Sequence, residues 1–242
     1  AASDVYKRQH IAAASDDNLW IATYWKGIDY LDKATGHFTH YNKETVPELV
    51  SDNIWSVADG GNGKLYIGHV HHGFSVFSVR EKRVKNFMHD PADPNSLPGN
   101  EVRCVYKDLN DNIWVGTNRG IALYNPESEN FIPFNSDKNL LHYVYDIRQL
   151  DGNKLWIAME FGGIAVMDLT QRLFQLPEQS RFHYIREGDD GYSLSNSSVR
   201  CIFQDSFKNV WTGVWGGGIN FLSYESPQFG GCLLYTSPSP RD

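Results

Sequence analysis

A short pattern centred on an aromatic residue recurs five times along the chain, and it constrains the fold more than any other feature. Each copy contains a polar turn, an apolar residue, the aromatic, a β-branched residue and then Gly or Ala. The aromatics stand at positions 20, 66, 114, 156 and 211, so that the spacings are 46, 48, 42 and 55 residues. A period of this length is typical of a chain that stacks copies of one supersecondary unit. The copies are Asp17–Thr23, Gly63–His69, Asp111–Thr117, Asn153–Met159 and Lys208–Val214.

The residues around each copy have the pattern of β-strands. Apolar residues alternate over short stretches bounded by Asp, Asn and Gly, which is the period of a strand and not of a helix. The third copy contains four such stretches, which predict strands over 102–106, 113–117, 121–124 and 131–134. Four antiparallel strands in one period form one blade of a β-propeller.

The sequence therefore predicts an all-β fold, a propeller fragment of about five four-stranded antiparallel blades. The expected blades cover approximately 10–42, 50–88, 100–135, 142–185 and 197–229. A full ring of about seven blades would make this chain an open arc, and closure of the ring with five blades is the alternative. The Gly or Ala after the β-branched residue suits the close packing of blade against blade. Six or seven residues after each aromatic a further Gly is followed by an apolar residue, at 27, 73, 120, 163 and 218.

The two ends of the sequence do not resemble the body between them. A transposase adapter used in sequencing libraries, translated in one frame, gives Asp4–Gln9, and its reverse complement gives Cys232–Ser237. Segments that encode each other's reverse complement are hard to explain by selection on a protein. We therefore expect 1–9 and 232–242 to be adapter-derived and 10–231 to be the partial propeller.

Charge and cysteine content narrow the classes of function. The chain has 22 Lys+Arg and 29 Asp+Glu, a formal net charge of -7. Binding to nucleic acid phosphates requires clustered Lys and Arg, so we expect no nucleic-acid partner and no direct attachment to anionic membrane. Cys104 and Cys201 occupy the same place in the third and fifth repeats, and we expect both to be buried thiols.

The blade core occurs together with a linker, Asp93–Val102, which returns in altered form at Asp190–Val199. The combination is similar to the two-component regulator propeller repeat over essentially all of 10–231. The resemblance implies the periplasmic sensor of a membrane-bound hybrid histidine kinase from a gut-type Bacteroidetes bacterium, in which propellers detect oligosaccharides released from glycans. It also implies a homodimeric parent protein whose membrane-spanning and kinase parts lie outside this chain. An oligosaccharide ligand, no cofactor and no enzymatic activity of the chain itself are the expectations that follow.

Candidate ligand-binding residues lie in the loops that join the second strand of each blade to the third, which open on one face of a propeller. Trp and Tyr rings stack on sugar rings, and charged or amide groups bond hydroxyls or carboxylates. The alternative is that the two Trp residues only pack between blades. The predicted set is Tyr24, Trp25, Lys26, His71, His72, Asn118, Arg119, Glu160, Phe161 and Trp215.

The sequence gives weaker support for a metal site, for a lyase and for a protein-interaction propeller. In the run His69-x-His71-His72 neighbouring residues of a strand point to opposite faces, and no second ligand cluster stands nearby in the sequence, so we expect no metal site. A propeller lyase would need His71 or His72 as general base together with Glu160, and we find no established catalytic motif. A passive protein-interaction propeller is the remaining alternative, although the Gly-His and Trp-Asp signals of that class are absent.

Overall fold

The computed structural model describes residues 8–134, 137–150, 153–169, 182–188 and 193–224. Within these ranges the chain forms five antiparallel sheets whose strands are adjacent in sequence order. The helical content of the same ranges is one short 3-10 turn, Lys138–Leu140. The predicted all-β class and the blade-by-blade organisation are therefore confirmed. The chain divides into two compact units, Ala1–Asn135 and Ser136–Asp242.

The first unit contains three four-stranded blades. Blade one consists of β1 Arg8–Ala13, β2 Leu19–Thr23, β3 Ile28–Leu31 and β4 Phe38–Tyr41. Blade two consists of β5 Ile54–Asp59, β6 Lys64–His69, β7 Phe74–Ser78 and β8 Arg83–Phe87. Blade three consists of β9 Val102–Lys107, β10 Ile113–Thr117, β11 Gly120–Asn125 and β12 Asn130–Pro133.

The second unit contains blades four and five. Blade four consists of β13 Val144–Leu150, β14 Lys154–Met159, β15 Gly163–Asp168 and β16 Phe182–Ile185. The described strands of blade five are β17 Val199–Gln204, β18 Val210–Val214 and β19 Gly218–Leu222. The last part of the expected fifth blade, 225–229, lies outside the described residues. The adapter origin of 1–9 and 232–242 stays a prediction, and β1 begins at Arg8, inside the first of these segments.

The innermost strands of neighbouring blades are joined by a side chain. The residue ten positions before the repeat aromatic lies at a register shift in the first strand of blades one, two and four. In each case it accepts a hydrogen bond from a backbone N–H of the next blade's first strand. The bonds are Val57 N to His10 Nδ1 (3.4 Å), Val105 N to Ser56 Oγ (3.0 Å) and Ile202 N to Asp146 Oδ2 (2.9 Å).

The hydrophobic core lies between blades. One cluster is shared by blades one and two, a second by blades two and three, and a third by blades four and five. Gly68 is the small residue of the second repeat, and a Cβ added there would lie 2.6 Å from the Val102 carbonyl oxygen of the next blade. At Gly68 the expected close approach of one blade to the next is confirmed.

A carboxylate organises the polar turn in two of the repeats. Asp108 accepts hydrogen bonds from the indole Nε1 of Trp114 (2.8 Å) and from the backbone N and side-chain Nδ2 of Asn112 (both 2.9 Å). Asp205 makes the same bonds to Asn209 and Trp211 in blade five. These bonds fix the turn and the orientation of the aromatic that follows it.

The two cysteines differ in environment. Cys104 is buried, as expected, whereas Cys201 is exposed, so the expectation of two buried thiols is wrong for Cys201. Both are free thiols. The reason is that no described residue covers the side of β17 that carries Cys201, where Phe203 is also exposed.

His69 is a fully buried residue at the end of β6. Its Nε2 lies 2.8 Å from Ser75 Oγ, which in turn donates to Asn86 Oδ1 at 2.8 Å. The same position holds Thr23 and Thr117 in blades one and three. Burial lowers the pKa of His69 to about 3, with a smaller contribution from the charge of His72.

Removal of the Ser56 hydroxyl should lower the free energy of unfolding, because the buried N–H of Val105 would lose its acceptor. We expect Ser56→Ala to reduce it by about 1–3 kcal/mol in urea titrations. Ser128→Ala, in the exposed β11–β12 turn, is the matched control and should change it by less than about 0.5 kcal/mol. Equal effects of the two substitutions would mean that the bond between blades contributes nothing.

Stability should also fall as the solution is acidified from about pH 6.5 towards 3. In the unfolded chain His69 takes up a proton near pH 6.5, whereas in the folded chain, where its pKa is about 3, it stays neutral. Protonation between these two pH values therefore favours the unfolded state. His69→Thr should therefore flatten the dependence of the unfolding midpoint on pH in this window. His37→Thr, at an exposed position, is the control, and unchanged pH profiles for both variants would contradict this account.

Candidate functional site

The predicted ligand-binding loops lie beside the segments that lead into the next blade. Gly27 N donates to Asp52 O (3.0 Å), Gly73 N to Asn100 O (2.8 Å) and Gly163 N to Ser197 O (2.8 Å). Gly73 has a φ of +71°, and a Cβ there would lie 2.1 Å from Phe87 O, so glycine is required. Within each unit, the loops between second and third strands and the segments that lead into the next blade therefore lie on one face. We call this face the rim of that unit.

The rim of the first unit exposes an aromatic pair. Trp25 is 60% exposed, and its ring meets that of Tyr24 edge to face at 5.0 Å. Trp25 therefore does not pack between blades. The backbone N of Lys26 donates to Thr23 Oγ1 at 3.0 Å, which fixes the loop.

The other predicted residues of the first unit lie at the corresponding places of blades two and three. His71 and His72 are exposed, and His71 Nδ1 lies 3.8 Å from Glu101 Oε1. Arg119 is exposed, and its backbone N donates to Thr117 Oγ1. Asn118 is half-buried beside Gly99.

The first strands contribute a stacked pair to this rim that the sequence analysis missed. Arg103, the second residue of β9, lies with its guanidinium carbon 3.9 Å from the ring centroid of Trp55, the second residue of β5. Both side chains are half-buried. A guanidinium at this distance from an indole is held by cation–π attraction.

In the second unit the equivalent pair is part of a larger cluster. The guanidinium carbon of Arg200 lies 3.8 Å from the ring centroid of Tyr145 and 4.9 Å from that of Trp215. Its NH2 group donates to Glu160 Oε1 at 3.0 Å. Tyr143 stacks on Tyr145, with centroids 5.2 Å apart and an interplanar angle of 14°.

Glu160 binds this cluster together. Its Oε1 accepts the Arg200 bond and a second hydrogen bond from Tyr145 OH at 3.1 Å. Burial raises the pKa of Tyr145, while the nearby Arg200 opposes the rise. The phenol therefore stays protonated and can donate to the carboxylate at neutral pH.

The second-unit rim combines exposed apolar surface with fixed charged groups. Trp215 is 67% exposed and Phe161 is 74% exposed, the latter with a φ of 58°. Arg200 lies between Trp215 and Tyr145 and bonds to Glu160. Exposed ring faces beside oriented charged groups form a surface that can bind a ring-shaped polar ligand.

The structure thus joins some predicted residues and not others. Glu160 and Trp215 meet through Arg200, and Tyr24 meets Trp25. The lyase hypothesis paired His71 or His72, which belong to the first unit, with Glu160, which belongs to the second, and this pairing stays a prediction. Among the described residues no group of three or more His, Cys, Asp or Glu side chains is placed to hold a metal ion.

A sequence signal for the missed residues exists. Eleven positions before the aromatic of repeats two to five, an aromatic alternates with arginine. The predicted set came from the loops between the second and third strands, whereas this position lies at the start of each first strand. The residues are Trp55, Arg103, Tyr145 and Arg200.

Comparison with known proteins agrees with this architecture. A family model described as a two component regulator propeller matches residues 96–119 and 193–216, each covering the end of a linker, a first strand and the following aromatic strand. The chain carries two-component regulator propeller repeats. These repeats account for the recurring strand pattern and for the linker.

Solved structures and a curated kinase contain similar propeller repeats. The extracellular domain described as part of a hybrid two component system, BT3049 from B. thetaiotaomicron, is 51% identical to this chain, with a TM-score of 0.75. That match covers 88% of this chain and 26% of the other. Histidine kinase P4 from Formosa agariphila is 27% identical over 203 residues, which is 81% of this chain and 14% of the kinase. This chain thus spans about a quarter or less of these two relatives.

More distant structures share the fold alone. Virginiamycin B lyase from Staphylococcus aureus is 14% identical with a TM-score of 0.67, and the match covers 94% of this chain and 71% of the lyase.

The propeller repeats of this chain are homologous to extracellular domains of hybrid two-component systems, which is consistent with an extracytoplasmic domain. No helix in the described ranges has the length and apolar content of a membrane span.

The Glu160–Arg200 pair should contribute measurably to the stability of the second-unit rim, because its side chains are only 25% and 29% exposed. A double-mutant cycle with Glu160→Gln and Arg200→Met should give a coupling energy of about 1 kcal/mol. The exposed Lys33–Asp17 pair is the control, with side chains 44% and 98% exposed, and should couple by less than about 0.5 kcal/mol. Coupling no larger than that of the control would contradict the proposed role of Glu160.

Proposed function

We propose that this chain is part of the periplasmic sensor of a Bacteroidetes hybrid two-component system and that it binds a glycan-derived oligosaccharide. Its homology to extracellular domains of such systems supports the sensor role. The observation that carries the ligand class is the arrangement of Arg200 between Tyr145 and Trp215. The proposal concerns binding and not chemistry by this chain.

The second-unit rim suits a sugar for a physical reason. The C–H face of a pyranose can pack on the exposed ring of Trp215, while its hydroxyls bond to the charged groups of Arg200 and Glu160. Those groups are already fixed by stacking and by the Tyr145 hydrogen bond. Binding therefore requires little ordering of side chains, which favours affinity.

The signal would be a rearrangement of the protein and not a reaction. A ligand that prefers one arrangement of two protomers shifts the population toward it, and in a homodimeric parent that shift can cross the membrane. The kinase activity and the membrane attachment would belong to other parts of the parent protein. The alternative of a passive protein-interaction propeller requires no sugar and is separated from the proposal by the following experiment.

A glycan array should identify oligosaccharides that bind the chain. Isothermal titration calorimetry with these oligosaccharides should detect binding that depends on Trp215. Trp215→Ala should weaken the affinity about ten-fold or more, since the stacking surface is lost. Phe207→Ala is the matched control, because Phe207 is a 79% exposed aromatic in the β17–β18 turn, at the opposite end of blade five. Binding of no oligosaccharide, or equal affinity of the Trp215→Ala variant and the parent, would contradict the proposal.

A further inference from the structure

A cavity of about 450 Å³ lies between blades one and two, at the end of the sheets away from the rim. It is bounded by the β1–β2 turn, the β5–β6 turn and the turn after β7. In an antiparallel blade these turns are at the opposite end from the β2–β3 loop, so this cavity is separate from the rim. Its volume is in the range of small-ligand sites.

The first repeat, which contributes to the lining of the cavity, lacks the carboxylate that organises the turn in blades three and five. Ala14 occupies the position of Asp108 in blade three and of Asp205 in blade five, six residues before the aromatic. With no carboxylate at Ala14, the indole Nε1 of Trp20 donates to Asp59 Oδ2 of the next blade at 3.0 Å. Ala14 and Trp20 both line the cavity.

The carboxylates of the cavity are already engaged. Asp59 accepts bonds from Trp20 Nε1 and Ser15 N through Oδ2, and from Gly61 N through Oδ1. Asp16 accepts a hydrogen bond from Tyr30 OH and one from the backbone N of the residue two positions on. Neither carboxylate therefore needs a ligand.

The cations of the cavity, unlike its carboxylates, are not engaged by other side chains in the described ranges. Lys64 and Arg80 both line it and are exposed. Within the described ranges neither side chain forms an ion pair or a hydrogen bond. Lys64 and Arg80 balance the two carboxylates in formal charge, and they are the charged groups of the lining that a ligand anion would pair with directly.

Aromatic rings form another wall. Tyr30 and Tyr41 line the cavity around the buried Trp20, whose ring centroid lies 4.7 Å from that of Tyr30 and 5.8 Å from that of Tyr41. Both tyrosines are half-buried, so part of each ring is open to a ligand. Rings opposite free cations fit a ligand that has an apolar face and an anionic substituent.

We propose that this cavity binds an acidic sugar, with the pyranose ring against the tyrosine rings and its carboxylate or sulfate bonded to Lys64 and Arg80. The site is independent of the rim and does not require that the rim bind a sugar. It would give the chain a second saccharide contact, at the end of the first unit away from that unit's rim. The anionic group distinguishes its ligand from a neutral oligosaccharide.

Titration calorimetry of the chain with three disaccharides tests this proposal. The probes are a hexuronate disaccharide, a sulfated hexose disaccharide and an uncharged disaccharide with the same linkage. We expect at least one acidic probe to bind and the uncharged probe to bind about ten-fold more weakly or not at all. Equal binding of charged and uncharged probes would overturn the proposal, as would the absence of binding by both acidic probes.

The decisive variant is Ala14→Asp. The turn accepts aspartate at this position in blades three and five, so the fold should be retained, which thermal unfolding can check. The new side chain would take up part of the cavity and add a third negative charge to its lining, so affinity for the acidic probe should fall about ten-fold or more. Lys64→Gln should weaken it similarly without filling the cavity.

Trp215→Ala separates this site from the rim, because it alters only the second unit. Affinity for the acidic probe should be unchanged in this variant. If Trp215→Ala removes that affinity while Ala14→Asp and Lys64→Gln retain it, the acidic sugar binds the rim and the cavity proposal is wrong. A failure of the rim proposal alone would leave the effects of Ala14→Asp and Lys64→Gln in place.

Discussion

The structure depends on one hydrogen bond that joins the first strands of neighbouring blades. A first strand is the inner edge of its sheet, so it has N–H groups that its own blade cannot satisfy. A side chain of the preceding blade accepts one of them, as Ser56 does for Val105 and Asp146 does for Ile202. The bond sets the distance between neighbouring blades, and at that distance the position of Gly68 has no room for a larger side chain. Apolar packing between sheets then adds stability that is not directional, whereas this bond sets the register of one blade against the next.

The same strand position explains where the stacked pairs of the rim arise. Trp55 and Tyr145 immediately precede the acceptor residues, at the register shift that begins each first strand. A register shift re-aims side chains at a sheet edge. The neighbouring blade brings Arg103 or Arg200 to the equivalent place, and the spacing fixed by the hydrogen bond leaves a guanidinium 3.8–3.9 Å from a ring. Two adjacent residues of the first strand therefore set the spacing between blades and the position of the stacked pair on the rim.

The sequence predicts what is local and periodic. The aromatic of each repeat lies in the second strand of its blade, and Gly73 occupies the left-handed position that its place in the pattern requires. The stacked pairs were not predicted because their members come from different blades, such as Tyr145 and Arg200, and meet only through the rotation between sheets. The cavity was not predicted because its lining comes from turns of two different blades, and Ala14, which is part of that lining, has no functional side chain.

The exchange of partners by Trp20 shows how a repeat architecture tolerates divergence. In blade three the indole is held by a carboxylate of its own turn, but in blade one Asp59 of the adjacent blade supplies that acceptor. The donor is satisfied either way, so the loss of an internal partner does not leave a buried polar group stranded. A neighbouring blade can in this way supply the acceptor that one repeat lacks. Repeats of one fold can thus differ in the residues that line their turns without any change in the backbone plan.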